Sequence, residues 1–362
     1  VADPLPAQDI WRERPVRGGY PDPGVLSLRG KERLQGFRRE LGPAPPLFHL
    51  TGSRPVSFGE GTADAEMPAS GWLANSAGLI GGGTLAVLAD IAFGCSLETQ
   101  VPARHPYTTA ELSMTFLRPV KPGGMLSAHG QLIRSGRRMG LTEVFVLEGE
   151  RMIAHGTSRL SILPAIEDLP EPPERVPYTA PEYPTPDPYL RPAPGLELGS
   201  ETWAELDGLE VLRRQIAGEL PAPAIHHLTG MRAVAAERGR AVAAMPCSEW
   251  LASPARRLQG GTIAMLADFA MMLCVLSTAP AGTAIAGVDL KVNFLRPVMA
   301  DDRELTATAE IEHSGRTLAI SRCQVMNADG KPVLLATGTS MYLPGEAMSL
   351  GSDVELGETR GD

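Results

Sequence analysis

Cysteine is scarce in this chain. Its four residues, Cys95, Cys247, Cys274 and Cys323, show no CxxC spacing, which argues against a disulfide framework and against a thiolate metal site. Cys95 and Cys274 stand inside apolar runs, so the expectation is of reduced, buried thiols that act as small hydrophobes in a reducing compartment. An excess of positive charge is missing as well. A formal net charge of −9 has the wrong sign for a general binder of nucleic-acid backbone, whose footprint is basic. It leaves room for a local basic cluster that holds a small anionic ligand. Long apolar runs are absent too: glycines bound each one and an aspartate interrupts it, so no membrane span is expected. The start, VADPLPAQDIWRERP, has neither a basic stretch nor an apolar one, so no signal peptide is expected and the cytoplasm is the expected location.

Several chemical signatures are also lacking. The seven histidines form no H-x-x-x-H array, and the adjacent His226 and His227 diverge in either helix or strand, so no metal is expected. There is no G-x-S-x-G elbow and no Cys–His pairing that suggests a nucleophile. GLIGGG before a helix faintly resembles a dinucleotide loop, but the corresponding stretch later in the chain reads RLQGG and no βαβ unit follows, so no redox cofactor is expected.

What the chain does have is one unit written twice. HLTG at His49 recurs at His227, 178 positions later, and the same shift carries Trp72 to Trp250, Gly82 to Gly260 and Asp90 to Asp268. It carries FLRPV, Phe116–Val120, onto Phe294–Val298. Beyond that the shift grows slightly, with SGR at Ser135 and Ser314 and GTS at Gly156 and Gly338, which places the insertions in hairpin turns. A length of 362 residues also suits two domains better than one. The proline-rich stretch between the copies lacks backbone donors and reads as a semi-rigid, extended linker. The layout is therefore an N-terminal arm (1–28), a first domain (29–165), a linker (166–200), a second domain (201–345) and a flexible tail (346–362). The arm and the tail are expected to be loosely attached.

Each copy opens with an amphipathic helical stretch, LRGKERLQGFRREL or AELDGLEVLRRQIAGEL, followed by a strand-like stretch ahead of the tryptophan. A glycine-opened apolar helix comes next. Strands of alternating character follow: Leu112, Met114 and Phe116 share one face, as do Leu290, Val292 and Phe294. NADGK marks a hairpin turn. A helix apolar on nearly every side, succeeded by antiparallel strands, fits an α+β unit in which a sheet wraps around a central helix and hides it.

From Gly81 through Leu97 the single charge is Asp90; from Gly260 through Ala279 it is Asp268. A buried carboxylate is costly unless it is paired, neutralised or placed where the helix meets a cavity. The glycines supply a complement, because a helix N-terminus has free N–H groups and glycine lets a ligand approach them closely. A carbonyl held at the N–H of Gly82 or Gly260 would be polarised as in an oxyanion hole, and a carboxylate in the same cavity would act as nucleophile or activate water. A structural hydrogen bond or a partner arginine would explain the aspartates equally well.

GGTLAVLADIA, GGTIAMLADFA, the twice-written FLRPV, the SGR turns and the closing GTS together resemble the hotdog-fold acyl-CoA thioesterases of the phenylacetate-pathway (PaaI-like) type. The resemblance covers about three quarters of the chain, excluding linker and arms. It implies two tandem hotdog domains that form an intramolecular pseudo-dimer, and hydrolysis of an acyl-CoA with no cofactor beyond the coenzyme A of the substrate. It also implies that two such chains associate. The oxyanion glycine maps to Gly82 and Gly260, flanked by Gly83 and Gly261, and the carboxylate to Asp90 and Asp268. The family's usual His before the glycine pair is replaced by Gly81 and Gln259. Its polar amide maps to Asn75 but to Ser253 in the second copy, and its hydroxyl to Thr109 but to Gly287. Because each site in such folds draws on both units, one site would join Asn75 and Gly82 to Asp268 and Gly287. The other would join Ser253 and Gly260 to Asp90 and Thr109. The first, which has the amide, is expected to be the better catalyst.

Arg137, Arg138 and Arg316, at hairpin ends, would suit the phosphates of coenzyme A, although solvated turn arginines are common. Arg118 and Arg296 would do the same or form structural ion pairs, and a salt bridge at the seam is the simpler role for Glu111 and Asp289. Two other function classes remain open: a non-catalytic acyl-CoA binder or sensor, and a hotdog hydratase or dehydratase, which generally uses a His absent here.

Overall fold

The structure, a computed structural model, describes residues 8–37 and 40–345. The expected tail, 346–362, lies outside the described residues, as do residues 1–7 of the arm. In the first half, helices α1 (Gly30–Gly36) and α2 (Pro46–Thr51) precede strands β1 (Arg54–Phe58) and β2 (Thr62–Pro68). The long helix α3 (Gly82–Glu98) and strands β3 (Tyr107–Phe116), β4 (Met125–Ser135), β5 (Met139–Glu148) and β6 (Arg151–Ile162) follow. The second half has α4 (Ser200–Glu205), α5 (Gly208–Ala217), α6 (Ala224–Thr229), β7 (Arg232–Glu237) and β8 (Arg240–Pro246). Then come α7 (Gly260–Leu276), β9 (Thr283–Phe294), β10 (Glu304–Ser314), β11 (Leu318–Met326) and β12 (Pro332–Pro344). The lead-in helix of the first half is shorter than the sequence suggests, ending at Gly36, where Leu41 folds back against the glycine.

Alanine and leucine carry α3 and α7 beyond their glycine starts, and Pro102 and Pro280 follow their ends. Every residue from Gly83 to Gly94 is buried, as is every residue from Gly261 to Asp268, which is what a helix apolar all round requires. The strands form one antiparallel sheet in the order β1-β2-β4-β5-β6-β3-β9-β12-β11-β10-β8-β7. The halves meet at β3 and β9, where Ser113 stands opposite Lys291 and Leu112 opposite Val292. Ser113 and Lys291 are 178 positions apart, so equivalent residues face each other and a pseudo-two-fold axis passes between them. Across that axis α3 packs on α7. Among the described residues no helix is long and apolar enough to cross a membrane.

The N-terminal arm is not loose. Ile10 is 1% exposed, Trp250 Nε1 donates to Glu13 O, Ser248 Oγ donates to Trp11 O, and His227 Nδ1 pairs with Asp9 Oδ1. All these partners belong to the second half. The end of the linker does the converse: Trp72 Nε1 donates to Arg191 O, Ser70 Oγ to Tyr189 O, and His49 Nδ1 pairs with Asp187 Oδ2. Each contact is the 178-residue image of the other, so the duplicated unit includes its leading arm and the two arms are exchanged. A segment rich in proline lacks N–H groups but keeps its carbonyls, and here those carbonyls satisfy indole and hydroxyl donors. The arms meet on the axis, where Glu13 Oε1 lies 2.6 Å from Arg191 Nη1 at equivalent positions. Glu13→Arg, which sets two guanidinium groups against each other in this half-buried place, is expected to cost about 2 kcal/mol of stability. The swapped pair Glu13→Arg with Arg191→Glu should restore most of it. Denaturant titration of the two single and one double variant checks the coupling, and additive losses would show that the arms do not bind through this pair.

Candidate active site

The aspartates face the opposite helix starts. Gly83 N–H donates to Asp268 Oδ2 at 2.7 Å, and Gly261 N–H donates to Asp90 Oδ2 at 3.0 Å. Close approach makes this possible: a Cβ at Gly83 would lie 2.7 Å from Met265 Cα, and one at Gly261 would lie 2.6 Å from both Ala86 O and Val87 Cα. The bonded N–H is thus one residue further into each helix than the glycine singled out from the sequence. The N–H groups of Gly82 and Gly260, at the first helical position, have no acceptor among the described residues, as expected of a helix start.

The two sites then differ. Thr109 Oγ1 donates to Asp90 Oδ1 at 2.9 Å, so both oxygens of Asp90 are occupied. Gly287 stands at the corresponding place beside Asp268, and Asp268 Oδ1 has no hydrogen-bond partner among the described residues. Both carboxyls are buried, at 7% and 8% exposure. Burial pushes Asp268 up to about 6, opposed by the single bond from Gly83. Asp90 is raised by the same desolvation but pulled back by Gly261 and Thr109.

The helix starts differ too. A Cβ at Gly81 would meet nothing within 4 Å, so space is open at the start of α3. At the same position of α7, Gln259 is buried; its Nε2 donates to Val87 O at 3.0 Å and its Oε1 has no partner. Asn75 Oδ1 accepts from Ala77 N and Leu79 N, shaping the turn before α3 and leaving its NH2 group without a partner among the described residues. Ser253 shapes the equivalent turn through its backbone alone.

Phe116, read in the sequence as the end of a strand, lines the Asp268 site: its ring would lie 2.6 Å from a Cβ at Gly82 and 3.7 Å from one at Gly287. Phe294 lies against Gly260 in the same way. The recurrence of FLRPV was the available signal for both. Arg118 and Arg296 donate to the carbonyls of Met152 and Pro332, closing hairpins rather than forming ion pairs. Glu111 pairs with Arg159 at 3.0 Å on the seam strand, whereas Asp289 forms no salt bridge among the described residues and accepts from Thr339 N. Arg137, Arg138 and Arg316 are exposed. The hairpin with the first two packs Gly140 on Leu97, fifteen residues and so about 22 Å along α3 from Gly82. All four cysteines are free; burial pushes Cys247 and Cys274 up to about 12.

A sheet wrapped on two central helices, with a carboxylate from each facing amide protons of the other, defines a tandem double-hotdog protein. The profile of the thioesterase superfamily matches residues 77–154 and again 257–334. The acyl-coenzyme A thioesterase PaaI of Escherichia coli (strain K12) is 30% identical over 116 residues, spanning 32% of this chain and 80% of that protein. The chain belongs to the thioesterase superfamily and is a thioester hydrolase. Among solved structures, the tesB protein of Mycobacterium avium subs paratuberculosis shares the fold, with a TM-score of 0.53 and 16% identity over 83% of this chain and 98% of that one.

Proposed function

We propose that the chain hydrolyses an acyl-CoA thioester at the site formed by Gly82, Gly83 and Asn75 with Asp268 and Gly287. One observation supports this choice above the rest: an unpartnered N–H at Gly82 stands one residue from a carboxylate that keeps one oxygen free. The thioester carbonyl accepts from Gly82 N–H, which draws charge onto its oxygen as the carbon becomes tetrahedral. Asp268 Oδ1 takes a proton from water as the water oxygen bonds to the carbonyl carbon. The intermediate then expels the sulfur, the C–S bond breaks, and the proton held by Asp268 passes to the leaving thiolate. The products are a free acid and coenzyme A, and the scheme uses no metal or redox cofactor. Asn75, with its NH2 group free, is the group that positions the water. The acyl-CoA class follows from the name of the relative above.

At the other site Thr109 and Gly261 occupy both oxygens of Asp90 and Gln259 fills the helix start, which supports a lesser catalytic role there. Thiol release from a panel of acyl-CoAs by wild type, Asp268→Ala and Asp90→Ala tests the assignment. Loss confined to Asp268→Ala is expected; loss confined to Asp90→Ala would mean that the wrong site was chosen. Tight binding of acyl-CoA with no thiol released over hours would instead identify a binder or sensor.

A further inference from the structure

The strand-facing flank of the central helix differs between the halves. On α3, Asp90, Gly94 and Glu98 lie four residues apart and share that face. Tyr107 of β3 fills the space beside them: its hydroxyl would lie 3.0 Å from a Cβ at Gly94, and it donates to Glu98 Oε2 at 3.1 Å. Arg33 Nε completes the column at 2.9 Å from Glu98 Oε1. Below Asp90 the flank is therefore closed by a ring and an ion pair.

On α7 the same three places hold Asp268, Met272 and Leu276. Where Tyr107 and Thr109 stand in the first half, β9 carries Ile285 and Gly287. A Cβ at Gly287 would lie 3.6 Å from Met272 Sδ and 3.7 Å from the Phe116 ring, so this one glycine separates two apolar walls beside the Asp268 carboxylate. Met272 is half-buried, and Ser340 Oγ donates to its thioether at 3.6 Å. An unbranched thioether adapts its shape at low cost.

We propose that Met272, with Phe116 and Gly287, determines the acyl specificity of the Asp268 site. The site takes an uncharged, apolar acyl group, which runs from the carbonyl across Gly287 and along α7 until it meets the methionine. This rests on the hydrolytic reading of that site and names its substrate class. Beyond Asp268 itself, the flank of α7 holds Met272 and Leu276 and no acidic or basic side chain among the described residues that would answer a charged acyl tail, so a dicarboxylic acyl group such as succinyl is disfavoured.

The test uses S-alkyl-CoA thioethers, which bind but do not hydrolyse, with chains of two to twelve carbons, measured by calorimetry on the full chain. Thiol release from the matching acyl-CoAs is measured in parallel. Burying one methylene is worth about fourfold in affinity, so Met272→Ala is expected to move the preferred length up by two or three carbons. The ratio of long-chain to short-chain affinity should rise roughly tenfold or more. Gly287→Ala, whose methyl fits at ordinary contact distance, is expected to move the preference down. A preference unmoved by both variants overturns the assignment of Met272 while leaving hydrolysis intact. Thioethers that bind with the expected shift, without turnover of any acyl-CoA, overturn the hydrolytic reading and keep the slot. Failure of every thioether to bind overturns both.

Discussion

Asp268→Asn is expected to lower turnover about a thousandfold, in the range typical for loss of a general base, while making the protein more stable at neutral pH. Both effects have one origin. Burial raises the Asp268 carboxyl to about 6, so the folded chain binds this proton more tightly than the unfolded chain does. Stability from this group is fullest below the ordinary carboxylate range and falls as pH rises to about 6, then stays level. Ionisation at neutral pH thus costs the fold about 3 kcal/mol. The amide keeps an oxygen for Gly83 N–H and never ionises, so a gain of about 1–3 kcal/mol at pH 8 that shrinks toward pH 4 is expected. Wild-type turnover should run the other way, rising with pH through about 6 as the base loses its proton. Thiol-release rates and melting curves between pH 4 and pH 8 measure both. A variant that keeps a tenth of wild-type turnover, or one that melts lower at pH 8, would show that Asp268 is neither the base nor an uncompensated charge.

The 178-residue repeat made much of the fold legible before any coordinates. It placed the two central helices and the strands that end in FLRPV, while the pairing of each aspartate with the other half followed from the resemblance to the hotdog family. Strands β4 and β10 escaped that reading for a physical reason. Their inward residues are small because the helix presses close; a Cβ at Gly130 would lie 2.5 Å from Ala92 O. Ala128 and Gly130 give little hydrophobic alternation to detect. The exchanged arms escaped for another. Asp9 matches Asp187, but Trp11 matches Tyr189 and Glu13 matches Arg191, and the last pair works because its charges differ.

Within the site, the aspartates and glycines were readable from type and spacing. The choice of Gly83 over Gly82 as the bonded amide depends on where each helix turns relative to its partner, which spacing leaves open. Phe116 lies in an alternating strand and Met272 in the glycine-opened apolar helix, and neither stands out there, because an apolar wall of a site and an apolar core have the same composition. The asymmetry between the sites was visible as Gly287 against Thr109. Its consequence, one carboxylate saturated and the other half free, needed coordinates.

Gly261→Ala and Gly83→Ala should both be strongly destabilising, at about 3 kcal/mol or more each. At Gly261 the three atoms nearest the new methyl are all backbone, Ala86 O and Val87 Cα at 2.6 Å and Ala86 C at 3.0 Å, so turning a side chain does not relieve the clash. At Gly83 it meets Met265 Cα at 2.7 Å and Asp268 Cβ at 2.8 Å. The second helix must retreat in both cases, and Gly261→Ala is expected to be the worse of the two. Gly81→Ala, with nothing within 4 Å, is the control and should stay within about 1 kcal/mol of wild type. Retreat also lengthens the bond from the helix amide to the opposing carboxylate, so Gly83→Ala should lose turnover beyond what its folded fraction explains. Denaturant titration of the three variants, with turnover corrected for folded protein, measures both consequences. A loss under 1 kcal/mol at Gly261 would mean the helices have room to part, and close packing would no longer explain why each aspartate reaches the other helix's first turn.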